Sequence, residues 1–404
     1  MGSIAEIVLS GVSFGARPPS EPEPPKAEWP FVRFEHDEDC GQQAKVLVAG
    51  VGGDGCNSVE QMNSRAVGPL DFIAIDTDHM SLEPLAIEAK LLLGKETTRS
   101  IGSGGNAELG KAAAEETSQE WTEIVSGYRM VLLAAGMGGG TGSGAAAHLA
   151  KIAKAAGALT VAVVTSPFEY EGRQKAESAA AGIAELRKSA DSIIVIPNDK
   201  IFSLTNEITY YEALKLRDEL LTGIMASVTD LVLLPPRMAI DFGSIRAVIG
   251  DGGMMSVSVA RATGENKVNE ILEKLLHNGL LDHPPLAGAQ AILLITTLGY
   301  KVMASEAKEL KSMITGTVSS RAKIFCGARL DERAGDTITA TLIATHFDEL
   351  LQPQGDIIEL DKVFTIEEVN SAGLSHRIHI PSYRRLKTAS KSNEDHMMWR
   401  PEDA

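Results

Sequence analysis

Nine residues, Gly136-Met137-Gly138-Gly139-Gly140-Thr141-Gly142-Ser143-Gly144, offer the plainest chemistry in this chain. Six are glycine, so the backbone is free to approach an anion closely and to take up positive φ. Successive N–H groups, with the N-terminus of a following helix, then form a phosphate cradle. The Thr141 and Ser143 hydroxyls add donors. The stretch lies between an apolar run, Met130–Ala135, that reads as a buried strand and a helical pattern at Ala145–Ala156. A glycine-rich linker does not sit in such a place.

A second glycine loop, Gly50-Val51-Gly52-Gly53-Asp54-Gly55, follows another apolar strand and matches G-x-G-x-x-G. Asp76 and Asp78 come at about the offset of a ribose-binding acid. By itself this loop suggests a dinucleotide-binding oxidoreductase. Two glycine loops converging on one polyphosphate suit a nucleoside triphosphate better. Glu171 and Lys175 stand four residues apart and form either a ligand pair or a surface ion pair.

These residues need a scaffold, and the apolar pattern supplies one. Strands are expected at Lys45–Ala49, Phe72–Asp76, Met130–Ala135, Thr160–Thr165 and Ser192–Ile196. Helical patterns alternate with them at about Asn57–Ala66, Asn106–Val125, Ala145–Ala156 and Lys175–Lys188. Such alternation predicts an α/β fold with a doubly wound parallel sheet and ligands at the strand C-terminal ends. A long helix follows at about Ile208–Thr229, and Pro235-Pro236 breaks the chain. Beyond it, strands at Val257–Arg261, Ala291–Thr297, Ala322–Ala328 and Thr337–Thr345 enclose helices at Lys267–His277 and Ser305–Thr315. That is a smaller C-terminal α/β domain.

The organisation expected is therefore an N-terminal arm (1–41), a nucleotide-binding domain (42–206), a central connecting helix (207–234), the smaller domain (235–349), a linker (350–376) and a tail (377–404). Six prolines in Pro18–Pro30 mark the arm as irregular.

At 404 residues, with 44% hydrophobic and 23% charged residues, the composition is that of a soluble globular protein. A net charge of −16 argues against a nucleic-acid binder. No apolar run approaches the ~20 residues of a membrane span, and no signal peptide is recognisable. Three cysteines without metal-like spacing fit a reducing cytoplasm.

Taken together, the glycine loops and their surroundings resemble the tubulin/FtsZ family of GTP-dependent cytoskeletal proteins. The resemblance runs from about Lys45 to Phe347. Ser166-Pro167-Phe168-Glu169-Tyr170-Glu171-Gly172-Arg173 and Ile196-Pro197-Asn198-Asp199 are similar to FtsZ segments, whereas Ser143 is the tubulin-like spelling. The resemblance implies GTP or GDP, with Mg²⁺ bound alongside the nucleotide and no separate metal-ligand residues. It implies a site made of Gly53, Asp54, Gly55, Cys56, Asn57, Gly140, Thr141, Gly142, Glu171, Lys175 and Asp218. Asn57 and Asp218 would read guanine, whose two N–H donors a carboxylate accepts and adenine cannot match. Glu171 would contact the ribose, and Ile101-Gly102-Ser103-Gly104-Gly105-Asn106 would lie near the γ-phosphate or serve as a turn and helix cap.

Three departures stand out. Asp54 and Cys56 occupy positions where the family has glycine, and a carboxylate beside a triphosphate repels it unless it points away or meets Mg²⁺. Lys175 replaces the usual Arg, keeping charge but losing the bidentate fork. Ala239-Ile240-Asp241-Phe242-Gly243-Ser244 resembles the loop that one subunit inserts into its neighbour's site. The family has Asn, then Asp, then a second Asp three residues later. Here Ala239 replaces the Asn, Asp241 remains as the catalytic acid, and Ser244 replaces the second Asp. A serine hydroxyl is a poor base.

The resemblance thus implies a GTPase activated by self-assembly into head-to-tail protofilaments of a cell-division ring, in the cytoplasm at mid-cell. The basic tail segment Ile378-His379-Ile380-Pro381-Ser382-Tyr383-Arg384-Arg385-Leu386 resembles the family's docking peptide for membrane tethers such as FtsA. The membrane would then be reached indirectly, without insertion. The alternative is a paralogue that binds GTP and assembles with little turnover, in a structural or regulatory role.

Overall fold

Strand β1 (Val46–Val51) is buried along its whole length, as a strand covered on both faces must be. The computed structural model describes residues 45–65, 70–199, 210–233, 240–276, 286–319 and 321–347. The arm, the linker, the tail and Ala239 lie outside the described residues.

After β1 come helix α1 (Gly52–Arg65), β2 (Leu70–Asp76), α2 (His79–Leu82), β3 (Ala89–Leu92), α3 (Ala107–Glu116), α4 (Ser118–Val125) and β4 (Met130–Gly136). Next are α5 (Gly140–Ala155), β5 (Leu159–Ser166), α6 (Arg173–Ser189) and β6 (Ser192–Pro197). The long helix α7 (Tyr210–Leu233), α8 (Phe242–Ile249) and the short β7 (Gly253–Met254) complete this half. The sheet order is β3-β2-β1-β4-β5-β6-β7, with every pairing parallel.

Alternate residues of each strand face opposite layers. Val46, Val48, Met130 and Leu132 pack with Val59 and Met62 of α1 and Leu221, Met225 and Val228 of α7. Leu47, Ala49, Val131 and Leu133 pack on the other side with Trp121, Leu149 and Leu186 of α4, α5 and α6. This is the doubly wound sheet that the pattern predicts.

The second half builds β8 (Ser256–Thr263), α9 (Lys267–Leu276), β9 (Ala289–Gly299), α10 (Ala304–Gly316), β10 (Lys323–Asp331) and β11 (Thr337–Phe347). Its sheet order is β10-β9-β11-β8, with β9 and β10 parallel and β11 antiparallel to both its neighbours. Ile271, Leu275, Leu310 and Ile314 of the two helices cover one face. Val257, Leu293 and Ile343 on the other face join the core beneath α7. So α7 is sandwiched between the two sheets, which explains its two apolar faces.

Some boundaries differ from the sequence reading. The helix expected over Asn106–Val125 is two helices meeting at Thr117. The Thr117 hydroxyl donates to the Ala113 carbonyl at 3.0 Å and accepts from the Gly94 amide at 3.1 Å. A side chain that serves both neighbours in this way competes with the regular helix ladder. Helices α1 and α5 begin at Gly52 and Gly140, inside the glycine loops, rather than at Asn57 and Ala145. Helix propensity marks glycine as a breaker, but here the loop is itself the helix's first turn.

The glycines of the long loop also do a packing job beyond the conformational one expected. Of those between Gly136 and Gly144, Gly138 takes positive φ, at 102°. Gly142 and Gly144 instead permit close approach: a β-carbon on them would collide with the Gly136 and Ala107 carbonyls. The loop is tightly packed, not loosely hinged.

Candidate nucleotide site

The C-terminal ends of β1, β2, β4, β5 and β6 open into one cleft of about 320 Å³. Its wall includes Gly52, Gly53, Asp54, Asp76, Ser103, Gly136, Gly139, Gly140, Thr141, Gly142, Glu171, Lys175 and Asn198. Both glycine loops therefore reach the same space, and both open a helix there. Two helix N-termini offer unpaired N–H groups and positive dipole ends to an anion. A β-carbon on Gly53 or Gly139 would meet nothing within 4 Å, so the backbone faces open space at both points.

The floor of the cleft is a hydroxyl cluster. Thr141 Oγ1 lies 2.7 Å from Thr77 Oγ1 and 3.2 Å from Ser103 Oγ, and it donates to Asp76 Oδ1 at 3.2 Å. Burial pushes the Asp76 carboxyl above its ordinary range, although the Thr77 amide and the Thr141 hydroxyl oppose the shift. Ser103 comes from the Ile101–Asn106 loop, and Asn106 also caps α3 by accepting from the Glu108 and Leu109 amides. The loop therefore serves as a turn and helix cap and also places Ser103 in the cleft wall.

On the far wall, Glu171 accepts from the Phe168 amide at 2.9 Å and from Lys175 Nζ at 2.8 Å. Burial works against its charge, but Lys175 and the Phe168 amide win and hold its carboxyl below the usual range. Both residues line the cleft, so their pairing is not a remote surface contact. Asn198, 3% exposed, carries a buried Oδ1 with no hydrogen-bond partner. An orphaned acceptor in a cleft wall is what a bound donor would satisfy.

Gly55, Cys56, Asn57 and Asp218 are not part of that wall. A β-carbon on Gly55 would strike the Ala134 carbonyl, so Gly55 seats α1 on β4. Cys56 points down as well: its thiol donates to the Gly50 and Ile75 carbonyls, and burial pushes it up to about 12. It is a packing residue that offers no side chain to a ligand. We expect Cys56 to resist alkylation at about pH 8 until the chain unfolds, because the thiolate is the reactive form. Peptide mass mapping checks this; rapid native labelling would contradict the burial. Asn57 is exposed on the next turn of α1.

Asp218 reaches the site through a residue that the sequence did not single out. Arg217 Nη2 lies 2.9 Å from Asp218 Oδ1 and 3.3 Å from Asp54 Oδ1. Burial raises the Asp218 carboxyl, and Arg217 partly offsets it. Asp54 therefore has a guanidinium beside it. No local pattern marks Arg217, since its partner Asp54 lies far away in the sequence.

Asp241 is elsewhere. It caps α8, accepting from the Ser244 amide at 2.6 Å, and it is exposed. Hydrogen bonds from Ser244 hold its carboxyl below the usual range. The other end of α8 is fixed by Ser192 Oγ donating to the Ile249 carbonyl and by Arg246 Nη2 donating to the Gly157 carbonyl. Ser192 starts β6, and Gly157 lies two residues before the start of β5. Helix α8 is thus anchored at the N-terminal edge of the parallel sheet, opposite the cleft. The connecting α7 carries the chain there: from Asp218 to Leu233 an α-helix rises about 22 Å.

Comparison with known proteins agrees with this architecture. Residues 45–206 match the GTPase domain of the tubulin/FtsZ family, and residues 253–348 match the C-terminal domain of the FtsZ family. Cell division protein FtsZ 1 of Thermococcus kodakarensis is 37% identical over 328 residues, 80% of this chain and 87% of that protein. FtsZ 1 of Pyrococcus abyssi is 37% identical over 303 residues, 75% of this chain and 81% of that protein. Among solved structures, the empty FtsZ dimer of M. jannaschii superposes with a TM-score of 0.69 at 32% identity, covering 75% of this chain and 88% of that one. CetZ2 of Haloferax volcanii, solved as a GTPγS-bound protofilament, shares the fold with a TM-score of 0.62 at 19% identity, covering 76% and 94%. With both domains in order and this extent of identity, the chain belongs to the tubulin/FtsZ family of GTPases, on its FtsZ branch.

Proposed function

We propose that the cleft binds GTP and GDP and that the chain assembles head to tail, with Asp241 of one copy completing the cleft of the next. One observation carries this reading: the cleft and the helix capped by Asp241 belong to opposite edges of the same parallel sheet. A copy stacked along the strand direction would bring one edge against the other. A heterologous contact of that kind repeats without closing and makes a filament. Hydrolysis would then require assembly.

Within one copy, the turns at Gly53 and at Gly140–Gly142 would hold the phosphates, with Thr141 and Ser103 as hydroxyl donors. Glu171 would meet the ribose, Lys175 would supply positive charge, and Asp218 and Asn57 would read the base. The residues also fit Mg²⁺ carried on the phosphates, an ion that commonly takes only one or two protein carboxylates. Asp76 is the carboxylate at the cleft floor. Among the described residues no group of three or more His, Cys, Asp or Glu could hold a metal unaided. In the cell, such filaments would form the division ring in the cytoplasm at mid-cell. Among the described residues no helix is long and apolar enough to cross a membrane, and Ile378–Leu386 would dock a tether such as FtsA. Deleting residues 377–404 should spare nucleotide binding and remove tether binding.

A second reading, assembly with little turnover, has its own support. Ser244 binds Asp241 and lowers its basicity where a second acid is expected. GTP turnover measured against protein concentration, with sedimentation of polymer, separates the two. We expect turnover per subunit to rise as pelletable polymer appears. Polymer without turnover supports the second reading. Equal affinity for GTP and ATP would sink both.

Thr141→Val tests the cradle directly. It deletes a donor from both the phosphate site and the Asp76 cluster while keeping side-chain volume. Losing a hydrogen bond to a charged group is worth about 1.5–3 kcal/mol, so GTP binding should weaken by at least tenfold with the fold retained. An unchanged dissociation constant by calorimetry would show that this loop does not hold the phosphates.

A further inference from the structure

Arg217 is only 7% exposed, and a buried guanidinium requires partners. Its Nε donates to Asp218 Oδ1 at 3.0 Å, and its Nη2 reaches Asp218 at 2.9 Å and Asp54 at 3.3 Å. Glu171, in the cleft wall, adds its field. One cation thus links Asp54, in the first turn of α1 and in the cleft wall, to Asp218 on α7, the residue proposed above to read the base.

The place of Asp54 makes this link consequential. Its side chain lies against the second glycine loop: a β-carbon on Gly136 would sit 2.5 Å from Asp54 Oδ2. Asp54 is therefore part of the cleft wall, at a helix N-terminus, where phosphate oxygens would arrive. A bare carboxylate there opposes a polyphosphate.

We propose that Arg217 is the counter-charge that makes Asp54 compatible with a polyphosphate, and that it is also the positioning residue for the Asp218 carboxylate. Asp54 and Arg217 then act as one unit. Either change alone alters the cleft, and the loss of Arg217 is corrected at the phosphate end by removing Asp54. This rests on the nucleotide reading of the cleft given above. An ion pair that merely pins α1 to α7 would affect both ends of a ligand alike.

The test uses the full chain and competition against a fluorescent GTP analogue, with guanosine and tripolyphosphate as probes of the two ends. R217Q should weaken competition by tripolyphosphate and by guanosine roughly tenfold or more each, the order expected when one partner of a buried charge pair is lost. D54G alone should tighten tripolyphosphate binding. The double variant D54G/R217Q should recover tripolyphosphate binding but not guanosine binding. R217K keeps a charge for Asp54 but loses the fork to Asp218, so it should weaken guanosine more than tripolyphosphate. Thermal melts check folding, and if R217Q does not fold the R217K split carries the test. The proposal is overturned if D54G restores nothing in the R217Q background, or if R217K weakens both probes equally. Failure of the nucleotide reading looks different: the unaltered chain would then show no preference for GTP over ATP.

Discussion

Asp241→Ala is expected to lower assembly-dependent GTP turnover by on the order of 10²–10³-fold, the usual loss when one preorganised polar group is removed from a reacting centre. Nucleotide affinity should stay where it was, because Asp241 belongs to the opposite edge of the sheet from its own cleft. The fold should survive as well. Asp241 caps α8, and its loss frees the Ser244 amide, but Ile245, Val248 and Ile249 still seat the helix in the core. Mixing separates a neighbour effect from an intrinsic one. A chain defective at Asp241 should still receive catalysis from an intact neighbour, so copolymers should turn over GTP at intermediate rates. Loss of GTP binding in Asp241→Ala would contradict the assignment.

The same loop carries a gain-of-function expectation. Ser244→Asp would place the second acid that the resemblance implies at the third position of α8, where the helix N-terminus favours negative charge. Turnover should rise; a fall or no change would show that the loop works differently here. The Asp241 carboxyl is held below its ordinary range. Its capping interaction is therefore complete above the unfolded carboxylate value and is lost as pH falls through the depressed one. Near neutrality the acid is ionised and is a weaker base than an unpaired Asp.

Asp218→Ala should abolish most of the preference for guanine. Its loss removes an acceptor worth about 1.5–3 kcal/mol when charged, so the ratio of GTP to ATP affinity should fall by on the order of 10–100-fold, mainly through weaker GTP binding. Arg217 keeps Asp54 as a partner in this variant, so the loss should be confined to the base end. Competition by tripolyphosphate should then change far less than competition by guanosine. If the ratio of GTP to ATP affinity does not move, some other residue reads the base.

Much of this protein was determined by its sequence alone. A parallel sheet buried on both faces requires continuous apolar strands, so the runs Lys45–Ala49, Met130–Ala135 and Thr160–Thr165 marked the strands that form at Val46–Val51, Met130–Gly136 and Leu159–Ser166. Glycine loops at strand ends have few other uses, so the position of the cleft followed from Gly50–Gly55 and Gly136–Gly144. The apolar pattern also located the long helix that joins the two halves, though not its place between their sheets. The resemblance also marked Asp54, Lys175 and Ser244 as departures from the family pattern, because a motif states which residue type to expect at each place.

Tertiary structure alone decided what those substitutions meet. Asp54 read as a repulsive charge until the fold set Arg217 against it, since long-range ion pairs leave no periodic trace. The resemblance placed Cys56 in the site, while its type alone suited a small packed residue; the winding of α1 turns its thiol toward the Gly50 and Ile75 carbonyls. Gly142 and Gly144 read as room for an anion, yet their lack of a side chain serves close packing against the backbones of Gly136 and Ala107. The decisive geometry is likewise three-dimensional. Asp241 follows Asp218 closely in the chain, but the rise of α7 between them carries the chain to the opposite edge of the sheet from the cleft. A sequence records order along the chain, whereas the separation of acid and cleft arises from the direction in which a rigid helix runs.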